Sequence, residues 1–293
     1  GAVCTTDLIQ SIVMSIALVT VVTYGINSAG GFAAVMDNAR ALPGYLSLNN
    51  TFDAANNASN SFSFISIVST LAWGIGYFGM PHILVRFMAI EDEKKLTLSR
   101  RIASVWVVIA MTVGIFIGVV GLAMTKAGSL ENLADSETVI VRITGLISRH
   151  GVIAALIAGV ILAGILAATM STSDSQLLTA ASGVSQNILH DFFHIEMDEK
   201  KSLLTARLTI VAIAVVAVFM ARNPNSRVFG IVSVAWAGFG AAFGAVMLCA
   251  LFWKRSTLAG AISGMVAGGV MVFVWKYLVR PLGGAFDRFE LLP

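Results

Sequence analysis

Charge is scarce in this chain: Asp, Glu, Lys and Arg together make up 12% of its 293 residues, against 57% hydrophobic. Too few charges remain to coat a soluble globule, and a mean hydropathy of +0.85 places the sequence among polytopic membrane proteins. Cysteine is nearly missing. Cys4 and Cys249 both sit in apolar runs, so buried free thiols are expected rather than a disulfide. The net charge of +3 reflects loop lysines and arginines, and nucleic acid is not an expected partner. Catalytic signatures are lacking too: no Gly-x-Ser-x-Gly elbow, Walker loop or His-Glu-x-x-His sequence occurs. Without paired catalytic groups a membrane enzyme is disfavoured.

What the chain does have is apolar length. Runs able to cross a bilayer, roughly 20 residues each, read at 8–29, 62–90, 102–124, 152–170, 208–220 with its flanks, 228–253 and 258–275. They predict about seven crossings joined by short loops. The linker after the second run carries Arg86, Lys94, Lys95, Arg100 and Arg101, whereas the 31–60 loop carries only Arg40. The positive-inside rule therefore puts the linker in the cytoplasm and the 31–60 loop outside, although Arg222 and Arg227 fall on the outer side of that scheme. The opening GAVCTTD has no initiator methionine or signal-peptide n-region, which predicts part of a longer protein.

The 31–60 loop, rich in Asn, Ala and Gly, predicts a short amphipathic turn. Gly114, Gly118 and Gly121 offer a close approach to another helix. Residues 136–148 alternate apolar and polar at helical spacing, as in an interfacial helix. The helix from Val152 meets no breaker and is expected to extend to Leu189. Asn223-Pro224-Asn225 predicts a turn, and Ala237-Gly238-Phe239-Gly240 with Gly244 a stretch suited to bending.

Three constellations could carry function. In Leu71–Arg86, LAWGIGYFGMPHILVR, residues Trp73, Gly74, Gly76, Tyr77, Gly79 and Pro81 predict a helix broken at mid-membrane depth. Lipid forbids unpaired backbone, so such a break survives only against protein or a water-filled cavity, the usual address of a transported solute. Trp73 and Tyr77, at i and i+4, offer faces to a cationic nitrogen. Pro81 suits the first turn of the second half-helix, whose positive end would favour a carboxylate. Together they predict an amino-acid site.

Ala168, Ser171, Thr172 and Ser175 stand at i, i+3, i+4 and i+7 and share one helix face. Sodium is a hard cation that prefers such oxygens, yet membrane Ser and Thr also bond back to their own helix. Asp174 at the edge of that face, and Asp7 at the start of the first run, are intramembrane carboxylates of the kind that mark ion pathways or snorkel to the interface. His190 and His194 flank Asp191 at metal-like spacing, but beside other charges at a helix end, which favours a solvated cluster.

At these residues the chain resembles the sodium:solute symporter family. The carriers are Gly76–Met88 (GYFGMPHILVRFM), Ile165–Thr172 (ILAATMST) with Gln176-Leu177-Leu178, Asn223-Pro224-Asn225, and Ala235–Gly244 (AWAGFGAAFG), in that order and spread over nearly the whole chain. The resemblance implies an all-α polytopic membrane protein, part of a leucine-transporter-type bundle of two inverted five-helix repeats. Residues 1–30 would be the last helix of the first repeat. Residues 61–253 would form the second, with the broken helix at 61–90 and the sodium-site helix at 152–189. Residues 256–293 would add a C-terminal transmembrane helix. It further implies a Na+ site made by the Ala168 carbonyl and the Ser171 and Thr172 hydroxyls, completed by N-terminal helices outside this chain. Trp73, Tyr77 and Pro81, with Gly74 beside them, would line the solute site, and Asp7, Asp174 and Ser175 a second Na+ position. The implied activity is Na+-coupled symport of a small amino acid, L-proline foremost, across a bacterial inner membrane. The alternatives are another small carboxylate-bearing solute, or a symporter-like sensor domain of a signalling kinase. The chain departs from proline-transporting members at Met80 (glutamine there), Asp174 (serine) and Ala245 (proline), positions that bear on solute identity and ion stoichiometry.

Overall fold

The computed structural model describes residues 2–222, 228–284 and 286, and side chains from residue 5 onward. The turn expected at Asn223-Pro224-Asn225, Arg227 and the Cys4 side chain fall outside that description. In chain order the elements are α1 (Ala2–Ser28), α2 (Phe32–Ala41), strands β1 (Asn50–Asp53) and β2 (Ala58–Ser61), α3 (Phe64–Leu71) and α4 (Trp73–Gly76). A 3₁₀ turn (Tyr77–Gly79) leads to α5 (Pro81–Met88), α6 (Lys95–Lys126), α7 (Val139–Ile147) and α8 (Val152–Ser182), the last continuing as π-helical turns through Gly183–Phe192. Then follow α9 (Glu199–Met220), α10 (Val228–Phe239), a π-helical stretch (Gly240–Gly244), α11 (Ala245–Phe252) and α12 (Leu258–Val274), itself extended by helical turns to Leu282.

Among the described residues, six helices are long and apolar enough to cross a membrane: Thr5–Ser28, Lys95–Lys126, Val152–Phe192, Glu199–Met220, Val228–Phe252 and Leu258–Leu282. The bent pair Phe64–Gly79 and Pro81–Met88, which turns by 52°, meets the same test of length and apolarity and makes a seventh candidate crossing when taken as one broken span. The expected seven runs are all accounted for, and the Val152 helix does run on past Leu189. Large side chains such as Leu8, Ile16, Val105, Met111, Leu156 and Phe219 point outward. An apolar exterior is what a lipid solvent permits.

The chain divides into two compact units, Gly1–Ser61 with Asp92–Ser175, and Phe62–Glu91 with Gln176–Pro293. In the first, α1 packs along α6, and α7 closes over both. Ile117, Val120 and Met124 from α6, Val21 from α1, Ile143 from α7 and Ile161 from α8 form its interior, each almost wholly buried. Gly121 lies against the Val139 side chain, whereas nothing described comes within 4 Å of a methyl placed at Gly114 or Gly118. Of the three expected contact glycines, one serves. Close contacts are also made at Gly25, which receives Val120, and at Gly164, where a Cβ would stand 3.1 Å from that of Ala17.

The 31–60 segment holds more structure than the turn expected of it. Val35 and Ala39, one turn apart, bury the inner face of α2, and β1 pairs antiparallel with β2 in the register Asn50↔Ser61 to Asp53↔Ala58. The connecting turn is set by Asp53, whose carboxylate accepts from the Asn56 amide (2.7 Å) and the Ala55 N–H (3.0 Å). Asn57 takes φ 48°, which asparagine tolerates. α7 is helical as its spacing predicted, but its apolar face, Ile143 and Ile147, is buried among α1 and α6.

In the second unit the bent pair packs on α10 and its π-helical stretch, and α12 packs on the same stretch. Gly268 of α12 abuts the Ala241 backbone there, and Gly264 faces Val246. These contacts hold the bend.

Candidate functional site

Ser63 starts the bent pair, its hydroxyl accepting from the Ser66 N–H at 3.2 Å. The helix then tightens through Tyr77–Gly79, and Met80 is the one extended residue (φ −81°, ψ 109°) before Pro81 opens α5. Proline there lacks an N–H where a helix would orphan one anyway. The break closes most of its own backbone: Met80 N–H donates to Tyr77 O (3.3 Å), and Ile83 and Leu84 N–H both donate to Met80 O (3.1 Å each). It is a sharp bend with a short gap, so it offers an incoming anion fewer free N–H groups than an unwound segment would.

Glycine on both sides sets how closely α10 approaches. A methyl on Gly79 would run into the Phe239 carbonyl, and one on Gly240 would stand 2.9 Å from the Gly76 Cα. Gly244 lies against the Ile75 carbonyl, 3.3 Å from where its Cβ would be. Gly238, grouped with these in the sequence, has nothing described within 4 Å; Gly74 is equally open and exposed.

This approach assembles an aromatic row. Trp73 lies 5.6 Å from Phe229 and 5.8 Å from Trp236, both tilted near 40°. Tyr77 meets Trp236 edge-on at 5.1 Å and 80°, within the range of favourable ring pairs. Trp73 is half-buried and Tyr77 exposed. Met80, by contrast, is 2% exposed and packs inside. Among the described residues, the indole Nε1 of Trp236 is buried without a hydrogen-bond partner, as is the hydroxyl of Ser69 one turn before Trp73. Residue-by-residue reading of the sequence found no role for Trp236 or Ser69; neither periodicity nor charge marks them, and only a facing helix reveals them.

In the first unit, the α8 oxygens converge. Ser171 Oγ donates to Ala168 O at 3.0 Å and Thr172 Oγ1 to the same carbonyl at 3.5 Å, while Ser175 Oγ bonds Ser171 O at 3.0 Å. Bonding back to the preceding turn is common here: Ser15, Thr20, Thr23 and Thr169 each do it. Those four take one carbonyl apiece, whereas Ser171 and Thr172 share one. That sharing gathers three oxygens on one side of the helix, the donor set a hard monovalent cation would use. Ser171 is half-buried, Thr172 and Asp174 exposed, Ser175 buried and Asp7 half-buried. His190 Nδ1 and Asp191 Oδ1 pair at 2.8 Å in the open, and among the described residues no group of three or more His, Cys, Asp or Glu could hold a metal. Cys249 is a half-buried free thiol.

A profile of the sodium:solute symporter family matches residues 1–268. A sodium/proline symporter of Staphylococcus aureus is 36% identical over 302 aligned positions, which take in all of this chain and 55% of the relative. Those of strains JH9 and Newman match to the same extent. The chain thus spans just over half the length of these relatives. No solved structure gives a significant match. With the profile covering most of its length and its seven candidate crossings, this multi-pass membrane chain belongs to the sodium:solute symporter family.

Proposed function

We propose that the chain is the part of a sodium-coupled symporter that carries its bent, solute-facing helix and two hydroxyl ligands of the coupling ion, with L-proline as solute. The observation that carries this reading is the aromatic wall at the bend, Trp73 and Tyr77 ranged about Trp236 beside the N-terminus of α5. Aromatic faces suit the ring and cationic nitrogen of a cyclic amino acid, at about 0.5–2 kcal/mol per desolvated contact. The positive end of α5 favours its carboxylate. Proline as solute is supported by the likeness to the sodium/proline symporters of Staphylococcus aureus. Met80 is packed inside, so its departure from glutamine acts on the seating of the bend more than on an exposed surface.

Sodium is the co-substrate, held by Ala168 O, Ser171 Oγ and Thr172 Oγ1, with remaining ligands from a helix outside these residues. A cation there exchanges hydroxyl-to-carbonyl bonds for ion–oxygen contacts, which are complete only when the opposing helix closes on α8. Ion occupancy thereby favours one conformation, and solute that prefers the same conformation binds more tightly. Asp7, Asp174 and Ser175 would form a second cation position, since two carboxylates brought together in a membrane need a cation or proton between them. The architecture is a leucine-transporter-type inverted repeat, with 1–30 ending the first repeat, 61–253 forming the second and 256–293 an added helix. It lies in a bacterial inner membrane with the 86–101 linker in the cytoplasm.

Vesicles carrying the full-length protein should accumulate labelled proline when a sodium gradient points inward, and lose that uptake when the gradient is dissipated. Sodium-driven uptake of a different solute with no proline uptake would overturn the solute. Absence of any sodium-driven solute uptake would overturn the coupling.

A further inference from the structure

We propose that Trp236 is a solute-binding residue whose indole N–H donates to the carboxylate of the transported amino acid; this rests on the symporter reading above. The indole stands at the centre of the aromatic row, touching both Trp73 and Tyr77. Its Nε1 is the buried donor of that row left without a partner. Indole is a donor only, so its complement must be an acceptor: the anionic end of an amino acid satisfies it, and the ammonium end does not. The bend itself offers that anion few donors, because Pro81 has no N–H and the Ile83 and Leu84 N–H groups are already committed to Met80 O, which leaves the His82 N–H of the first turn. A second donor is needed, and Trp236 supplies it one ring away from the faces that take the nitrogen.

The location of the N–H explains why glycine stands opposite. A methyl on Gly76 would lie 2.5 Å from Trp236 Cδ1 and 3.2 Å from Nε1, so only glycine lets the edge of the indole pack this closely on α4. In this conformation the N–H is stowed against α4, closed to water and with its hydrogen bond unmade, which is costly. A turn of the indole about χ2 exposes it toward the bend while the ring stays between Trp73 and Tyr77. Solute binding then satisfies a group that the solute-free packing leaves unsatisfied.

The test uses the full-length protein in detergent or nanodiscs. Trp236 is replaced by β-(3-benzothienyl)alanine, which keeps the shape and exchanges N–H for sulfur, and separately by phenylalanine (W236F). Proline affinity should fall at least about tenfold in both, the scale of one hydrogen bond to a charged group, while sodium affinity measured without solute stays unchanged. In wild-type protein labelled with 15N-indole, the Trp236 resonance should move on adding proline. Equal proline affinity in the benzothienyl variant and wild type, or an unmoved resonance in a protein that binds proline, overturns the role of Trp236 and leaves the transport reading standing. If wild type binds no proline in saturating sodium, the solute reading fails instead. The resonance is then followed against a panel of other carboxylate amino acids, and no movement with any that binds overturns Trp236. Parallel loss of sodium and solute affinity in both variants would mean that the indole only packs the bend.

Discussion

The two compact units hold their helices together by different means. In the first, α1, α6 and α7 interlock through side chains: Val21, Ile117, Val120, Met124 and Ile143 fill one another's gaps. In the second, the bend and α10 meet backbone to backbone, with Gly76 and Gly79 set against Gly240, Phe239 and Gly244. Lipid tails are as apolar as leucine, so no hydrophobic force drives helices together within a bilayer, and close approach through small residues takes its place. Side-chain packing can absorb a change by shifting a rotamer. Backbone contact cannot. The site-bearing unit has therefore taken the less forgiving arrangement, and what it obtains is a row of four rings that only a short helix separation could assemble.

The sharpest way to break that contrast is to add one methyl group to each unit. Gly79→Ala places a Cβ against the Phe239 carbonyl, which belongs to a helix and has nowhere to go. Overpacking of this kind costs about 1–3 kcal/mol, and the upper end is expected here because the obstacle is main chain. Gly121→Ala places its Cβ 2.6 Å from Val139 Cγ2, the tip of a side chain that can rotate. Removing a glycine from the interior of α6 also returns roughly 1 kcal/mol of helix propensity, so this variant should be near neutral. Thermal unfolding of the purified full-length variants decides it: a large drop in Tm for Gly79→Ala and little change for Gly121→Ala. Equal drops would mean that the two units are packed alike.

Much of this was legible in the sequence, and the part that was not has a common cause. Apolar length alone gave the crossings, because a bilayer imposes a fixed span on any helix. Gly76, Gly79 and Pro81 announced the break, since few other residues tolerate one. Trp236 lies in the motif Ala235–Gly244 but had no role of its own: a tryptophan in the apolar run 228–253 looks like any other until Trp73 and Tyr77 are found against it. Gly114 and Gly118 look the same on paper as Gly121, and only the neighbouring helix tells them apart. The β1–β2 hairpin escaped notice because Ala58–Ser61 holds no strand-forming residue and in Asn50–Asp53 only Thr51 and Phe52 favour a strand, between residues that do not. Its turn is fixed by one aspartate, a local hydrogen-bond pattern with no periodicity to read.

A smaller effect should separate shared from unshared hydroxyls on α8. Ser171→Ala or Thr172→Ala removes an oxygen from the trio around Ala168 O. Thr169→Ala removes a hydroxyl that bonds only to Ile165 O, at 3.2 Å. The first two should raise the sodium concentration for half-maximal proline uptake by about tenfold or more, the scale lost on removing even a supporting partner of a bound metal. The third should leave it unchanged. In Ser171→Ala and Thr172→Ala, maximal uptake at saturating sodium should fall less than the sodium dependence shifts. If Thr169→Ala shifts sodium dependence as far as Ser171→Ala does, the trio is ordinary helix capping and the coupling ion sits elsewhere.

The smallest effect lies outside the spans, at the β1–β2 hairpin of the first unit. The Asn56 side-chain amide, then the Ala55 and Asn56 backbone N–H groups, hold the Asp53 carboxyl below its ordinary range. A carboxyl whose pKa is depressed by folding stabilises the fold fully above its unfolded value, about 3.9, and loses that contribution as pH falls through the folded value. The β1–β2 hairpin should therefore open more readily at about pH 3 than at neutrality, while the interior around Ile117 and Ile143 stays closed. Amide exchange across 50–61, corrected for the intrinsic pH dependence of exchange, reads this directly. Asp53→Asn keeps an acceptor oxygen but has no proton to gain, so its hairpin should show weaker protection at pH 7 and no further loss on acidification. Because the group is fully in water, the change should be confined to the hairpin and leave sodium-driven uptake at neutral pH intact. A pH-dependent loss that persists in Asp53→Asn would place the titrating group elsewhere in the loop, and an equal loss at Ile117 would show the hairpin and the interior opening as one.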